Sequence, residues 1–266
     1  MHIVVCVKAV PSTTEVKMDP ETHTIVRDGR ASVINPFDAT ALEVALAIKD
    51  ARSAAGERTR VSVMSMGIPD TERLLRDCIA RGADDALLLS DRAFAGADTL
   101  ATTYALSCGI SQLDEAVDLI VCGKMAVDGD TAQIGPELAG AFEMPCITDV
   151  QAQPEVCRRT LRAKRACDGG RETVEVDLPA VITVAKDAAQ LRMPSIPGVL
   201  AAETAPVAVK TAADVGADTA RTGLAGSPTQ VVRSFVPERS QEAVAIEGSP
   251  AEQAAALAAL IEEGCR

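Results

Sequence analysis

LIVCGKMAVDGDTAQIGP, Leu119 to Pro136, is the stretch that decides the fold. Leu119-Ile120-Val121-Cys122 is an uncharged apolar run of strand length, and Gly123 to Gln133 is a loop of glycines, small residues and aspartates. The pattern predicts a helix over about 133–142. A buried strand that passes through a glycine-bearing loop into a helix is the repeating unit of a parallel sheet with helices on both faces.

Outward from this unit the same alternation recurs. Residues 2–8 carry a continuous β-branched run, and Asn35-Pro36 opens a helix over about 36–51 with Ala41, Val44, Ala45 and Ile48 at helical spacing. Asn35 is the expected N-cap, Pro36 fits the first helical position, and Asp38 completes a capping-box-like start. Arg60 to Met66 alternates as a strand, Asp70 to Arg81 is a helix with Leu74, Leu75, Cys78 and Ile79 inward, and Gly82 stops it. Asp85 to Ser90 is a further strand and about 98–113 a further helix. Between the first two elements, Val16 to Asp19 and Thr24 to Arg27 read as a small hairpin.

After about 150 the pattern changes. Val156 to Arg162 and Arg171 to Val176 bracket Cys167-Asp168-Gly169-Gly170 as an antiparallel hairpin, and Leu178 to Val184 is one more buried strand. Residues 186–250 are rich in Ala, Thr, Pro and Gly and read as an extended arm. Pro250 to Glu263 is a final helix with Ala254, Leu257, Ala258 and Ile261 on one face. The expected organisation is a nucleotide-binding α/β domain over 1–185 and an arm over 186–266.

Composition narrows the function. The chain has 266 residues, 26 basic against 38 acidic, a net charge of -12 and 2% aromatic residues beside 47% hydrophobic ones. Nucleic-acid binders need a basic surface and stacking aromatics, so nucleic acid is excluded as an expected partner. No apolar run reaches the roughly 18 residues of a membrane span, and the N-terminus lacks a signal-peptide pattern, so a cytoplasmic location is expected. Eight cysteines form no C-x-x-C pair, and only His2 and His23 could assist them as ligands. Scattered core thiols are the expected reading, and no metal site is expected.

In an open parallel sheet, ligands bind beyond the carboxyl ends of the strands. Four loops qualify: Lys8 to Pro11, Met66-Gly67, the stretch through Gly96 to Asp98-Thr99, and Gly123 to Pro136. The last combines close backbone approach with the positive end of a helix dipole, which suits a diphosphate. It is neither a Walker loop nor a G-x-G-x-x-G turn. Asp128 and Asp130 could cap turns or hold a divalent ion. Asp128-Gly129-Asp130-Thr131 is also similar to the D-x-D-x-T loop of haloacid-dehalogenase-type phosphatases, but Ala132 replaces its Thr and five residues separate Asp128 from the strand end. No general base stands out, so chemistry is expected from a bound cofactor.

Val5-Cys6-Val7-Lys8-Ala9-Val10-Pro11, Asn35-Pro36-Phe37-Asp38, Arg81-Gly82-Ala83-Asp84, Asp98-Thr99-Leu100-Ala101-Thr102, the 123–136 loop and Leu178-Pro179-Ala180 resemble, in order, the beta subunit of electron-transferring flavoproteins. Gly226-Ser227-Pro228-Thr229-Gln230-Val231 resembles the electron-bifurcating branch of anaerobes. The resemblance implies an adenine-nucleotide alpha hydrolase-like fold, and a heterodimer with an alpha subunit on which the arm packs. It places an adenine nucleotide at Ala9, Asn35, Pro36, Phe37, Asp38, Met66, Gly123, Lys124, Met125, Ala126, Asp128, Gly129, Asp130, Thr131, Ala132, Gln133 and Ile134. Backbone amides of Gly123 to Thr131 and the Thr131 hydroxyl are expected at the pyrophosphate, Asn35 and Asp38 at adenosine, and Asp98 and Thr99 on the diphosphate-ribityl side.

In the ordinary branch that nucleotide is structural AMP. In the bifurcating branch it is part of an FAD that takes hydride from NADH and sends electrons to ferredoxin or flavodoxin and, through the alpha-subunit FAD, to an acyl-CoA dehydrogenase. The 128–133 sequence and Asp98-Thr99 resemble the second branch. The resemblance further implies a partner-docking loop over Ala185 to Ala202, with Arg192 and the apolar anchor Ile196. The family's usual lysine cluster after it is replaced by Ala201-Ala202-Glu203-Thr204-Ala205. A non-redox adenine-nucleotide-binding regulatory protein is the alternative from another class.

Overall fold

Period-two alternation in the first strand sorts its side chains between two cores. In the computed structural model, which describes residues 1–12, 32–232 and 245–264, β1 (His2–Cys6) sends Ile3 and Val5 to one face and Val4 and Cys6 to the other. All are buried, as a strand covered by helices on both faces requires.

The short strands β2 (Ala9–Pro11) and β3 (Ser32–Ile34) pair antiparallel beside the main sheet. The hairpin expected at 16–27, with His23, lies outside the described residues. Next come α1 (Pro36–Ala54), β4 (Arg60–Met66), α2 (Glu72–Arg81), β5 (Asp85–Leu89), α3 (Thr99–Ser111), β6 (Leu119–Gly123) and α4 (Ile134–Ala141). Then follow β7 (Cys146–Val150), β8 (Glu155–Cys157), β9 (Thr160–Cys167), β10 (Gly170–Asp177), β11 (Ala180–Val184), α5 (Ile196–Thr204), β12 (Val207–Lys210) and α6 (Pro250–Gly264).

The sheet runs β10-β9-β7-β11-β6-β1-β4-β5-β12, with β8 paired to β9. From β7 to β12 every pairing is parallel, and the β8–β9–β10 flap is antiparallel. Helices α1 and α2 cover one face and α3 and α4 the other, each with its own aliphatic core. The doubly wound α/β fold read from the sequence is the observed one. The chain steps from β1 to β4 and β5 on one side, then returns to place β6 on the other flank of β1. This reversal opens a crevice at the carboxyl ends of β1 and β6, where such sheets take ligands.

Beyond the sequence expectation stand β2, β3, β7, β12 and α5, all of them short. One compact unit spans Met1–Gln230. Within 186–230, β12 adds a parallel strand beside β5 and α5 packs on α2. Gly198 makes the α5 contact possible, since a Cβ there would collide with the Ala80 carbonyl oxygen. Arg76 closes the other end of α5, its Nη1 donating to the carbonyls of Ala202 (2.8 Å) and Ala205 (2.8 Å). The second unit spans Val231–Arg266 and includes α6, whose Leu257, Leu260 and Ile261 are exposed.

Candidate functional site

Asn35 and Asp38 were expected to cap α1, and the structure corrects this. Asn35 stands at the N-cap position but makes no side-chain cap bond. It is fully buried, its Nδ2 donating to the Met125 carbonyl (2.9 Å) and its Oδ1 accepting from the Val127 amide (3.1 Å). Asp38 reaches across to the strand ends. Its Oδ2 accepts from the Lys8 amide (2.8 Å) and its Oδ1 from the Gly123 amide (3.1 Å). Burial pushes the Asp38 carboxyl up to about 7, against the opposing pull of those amides. Pro36 and Phe37 are half-buried in the same turn, and Phe37 Cβ abuts Gly123.

Both expected adenosine ligands thus have their polar ends engaged within the protein. Together they tie the start of α1 to the ends of β1 and β6 and to the first half of the 123–134 loop. Ala9 lies in β2 on the same rim, and Met66 ends β4 next to it. Beside Met66, Ser65 Oγ is buried without a hydrogen-bond partner, alone in this among the described residues. Nothing in the residue pattern singles out Ser65, because a serine in an alternating strand reads as an ordinary polar position.

From Ala126 the loop is built differently. The Ala126 carbonyl accepts from the amides of Gly129 (3.2 Å) and Asp130 (2.8 Å), closing a turn. Asp130 and Ala132 have positive φ, 52° and 55°, a conformation that Asp tolerates and Ala resists. The consequence is a run of backbone turned outward. Residues 127–133 are exposed, and among the described residues the amides of Thr131, Ala132 and Gln133 have no protein acceptor. Gln133 gives α4 no side-chain cap, so the positive end of that helix is also open. Gly135 brings α4 down on Thr183, which a Cβ would strike, and Ile134 is half-buried beside it.

Charge around the loop is paired. Lys8 Nζ meets Asp128 Oδ1 at 2.7 Å, so Asp128 faces an ammonium rather than a metal cluster, and no metal-ligating group of three or more occurs among the described residues. Lys124 Nζ turns the other way, to Asp149 Oδ2 at 2.9 Å. There it lines a cavity of about 450 Å3 with Thr148, Arg165 and Thr183, on the flank of the loop away from Asn35 and Met66.

Asp98 caps α3, a role the sequence reading did not assign it, Oδ1 accepting from the Ala101 amide at 3.0 Å. Its Oδ2 accepts from the amide (3.1 Å) and hydroxyl (2.8 Å) of Thr229, and its own amide donates to Ser227 Oγ (2.8 Å). These bonds hold the carboxyl below its ordinary range despite the opposing cost of burial. Segment 226–229 is thereby strapped to the start of α3. Thr99 Oγ1 lies 3.1 Å from Gln133 Oε1 and 3.0 Å from Glu137 Oε1, joining α3 to the α4 end of the loop.

The two docking residues separate. Arg192 is engaged within the chain, its guanidinium bonded to Glu43 (2.8 Å) and Asp50 (2.8 Å) on α1, while Arg81 donates to its carbonyl. These acids hold the guanidinium firmly in its charged form. Ile196 is 80% exposed, next to Met193 at 83%. Among the described cysteines, Cys6, Cys78 and Cys122 are core thiols as expected, whereas Cys157 and Cys167 are exposed on the flap. No helix among the described residues is long and apolar enough to cross a membrane.

Residues 22–215 match the electron transfer flavoprotein domain family. The chain is 44% identical to the caffeyl-CoA reductase-Etf complex subunit CarD of Acetobacterium woodii, over 89% of this chain and 88% of that protein. It is 43% identical to the electron transfer flavoprotein subunit beta of Megasphaera elsdenii, again over 89% and 88%. It is 40% identical to the protein FixA of Azorhizobium caulinodans, over 98% and 94%. The chain belongs to the electron transfer flavoprotein beta-subunit family.

Proposed function

We propose that this member of the family pairs with an alpha subunit, binds FAD in the β1/β6 crevice, accepts hydride from NADH and bifurcates the electrons. The observation that carries the cofactor reading is the outward-turned run Thr131 to Gln133 at the uncapped start of α4, a set of donors with no acceptor among the described residues. A diphosphate is the chemical match for such a set. The residues present therefore fit a dinucleotide whose phosphates lie on Thr131 to Gln133, with Thr99 and the strapped start of α3 on the far side.

A flavin held there supplies two-electron oxidation of a reduced nicotinamide and one-electron delivery to separate acceptors. The polypeptide's part is placement. Asn35 and Asp38 fix the near half of the loop, Gly135 seats α4, and Asp98 with Thr229 fixes the start of α3. The likeness to CarD, a subunit of a caffeyl-CoA reductase-Etf complex by name, supports the bifurcating branch. Ferredoxin or flavodoxin is then the low-potential acceptor and an acyl-CoA dehydrogenase the other. For the dehydrogenase, Met193, Ile196 and Leu200 on and before α5 offer an apolar anchor, which Arg192 braces from behind. The exposed apolar face of α6 is the surface for the alpha subunit.

The test is to co-produce the chain with its alpha subunit and count flavins per heterodimer. Two FAD, bleached rapidly by NADH, is the expected result. One FAD with one AMP would overturn bifurcation and leave the AMP-holding form. Binding of ATP or AMP alone, without any flavin-bearing partner, would favour the non-redox regulatory class.

A further inference from the structure

At a switch point, the amides leaving the strand ends are the ordinary seat for a ligand's oxyanion. Here they are taken. The Lys8 amide beyond β1 and the Gly123 amide closing β6 both donate to the Asp38 carboxylate, one to each oxygen. The seat is shaped for it, since a Cβ on Gly123 would strike Asp38 Oδ1 and Phe37 Cβ. Asp38 is only 7% exposed, and it belongs to α1, an element distinct from the two strands it joins. Among the described residues the unclaimed amides of the loop lie further on, at Met125, Ala126, Asp128 and Thr131 to Gln133.

We propose that Asp38 is a positioning residue that serves as a resident anion: its carboxylate fills the switch-point seat, sets the spacing of the β1 and β6 ends, and leaves a nucleotide's phosphates the free amides further along the loop. The inference rests on the reading that this crevice binds an adenine nucleotide. It makes Asp38 a determinant of where the ligand lies, without contact to adenosine.

The experiment uses the full chain at pH 8, above the value of about 7 to which burial pushes Asp38. AMP affinity is measured by titration calorimetry for the wild type, Asp38→Asn and Asp38→Ala, each with sodium formate and with sodium chloride at equal ionic strength. Both variants are expected to lose affinity by about tenfold or more, the scale of one charge-assisted hydrogen bond. Formate, which can re-enter the vacated seat of Asp38→Ala, is expected to restore most of the loss, whereas chloride restores none. A purely structural role would not respond to formate.

Wild-type affinity in Asp38→Asn, or a folded Asp38→Ala that formate does not rescue, overturns the proposal. Should Asp38→Ala fail to fold without salt, formate but not chloride is expected to recover the fold, and equal recovery by both overturns it. A wild type that binds no adenine nucleotide overturns the reading of the crevice instead. The seat is then read from the melting temperature of Asp38→Ala, which formate must raise while leaving the wild type unmoved.

Discussion

The two halves of the 123–134 loop are made of similar small residues and are held in opposite ways. Between Gly123 and Val127 the amides of Gly123, Lys124 and Val127 and the Met125 carbonyl are tied to the protein, through Asp38, Asn35 and the Val184 carbonyl, which accepts from the Lys124 amide at 2.8 Å. From Thr131 to Gln133 the amides have no acceptor among the described residues and the chain is exposed. The first half stores geometry and the second offers it. A site that must bind without rearranging needs both, because donors are useful only when something else fixes where they point.

The contrast can be broken hardest at Gly123. Gly123→Ala drives a methyl into Asp38 and Phe37 and is expected to cost about 3 kcal/mol or more by denaturant melt, since it overpacks and unpairs a buried carboxylate at once. Asn35→Ala leaves the Met125 carbonyl and the Val127 amide unpaired and should cost about 1–3 kcal/mol. In the second half the effects should fall on binding instead. Thr131→Ala is expected to leave stability within about 0.5 kcal/mol of wild type while weakening flavin retention in the heterodimer. Loss of stability without loss of flavin would reverse the division between the halves.

Asp38 also predicts a pH signature. Its folded value is raised to about 7, so between about 4 and 7 the native chain holds a proton that the unfolded chain releases. Stability should therefore fall as pH rises through that window and level off above it, by on the order of a few kcal/mol at most. Asp38→Asn should flatten that slope in melts recorded at stepped pH. The smallest effect is expected at Asp128. Its pair with Lys8 is solvent-exposed, so Asp128→Asn should shift stability by less than about 1 kcal/mol. Magnesium-dependent phosphate release abolished by that substitution would revive the phosphatase reading.

Much of this was legible in the residues. The buried strands β1, β5, β6 and β11 announce themselves as apolar runs, β4 by its alternation and α1, α2 and α4 as helical stretches, because a sheet covered on both faces leaves few polar positions to blur the pattern. β7, β12 and α5 were not legible. β7 carries polar residues where the flap covers it, and β12 and α5 are short segments whose burial depends on neighbours distant in sequence. That the loops chosen as candidates stand at the carboxyl ends of neighbouring strands was readable from the element order alone. The roles of Asn35, Asp38 and Arg192 were not: each is a polar side chain with a plausible local use, and each was claimed by a partner on another element.

The sequence by itself determined the doubly wound architecture, the loops that meet at its switch point and the family, because hydrophobic period and glycine placement are local properties that survive without coordinates. Only the tertiary structure decided which polar groups remain free. A carboxylate or amide bonds whatever donor the fold brings within about 3 Å. That choice gave Asn35, Asp38 and Arg192 partners on other elements, and among the described residues it left Thr131 to Gln133 with open donors.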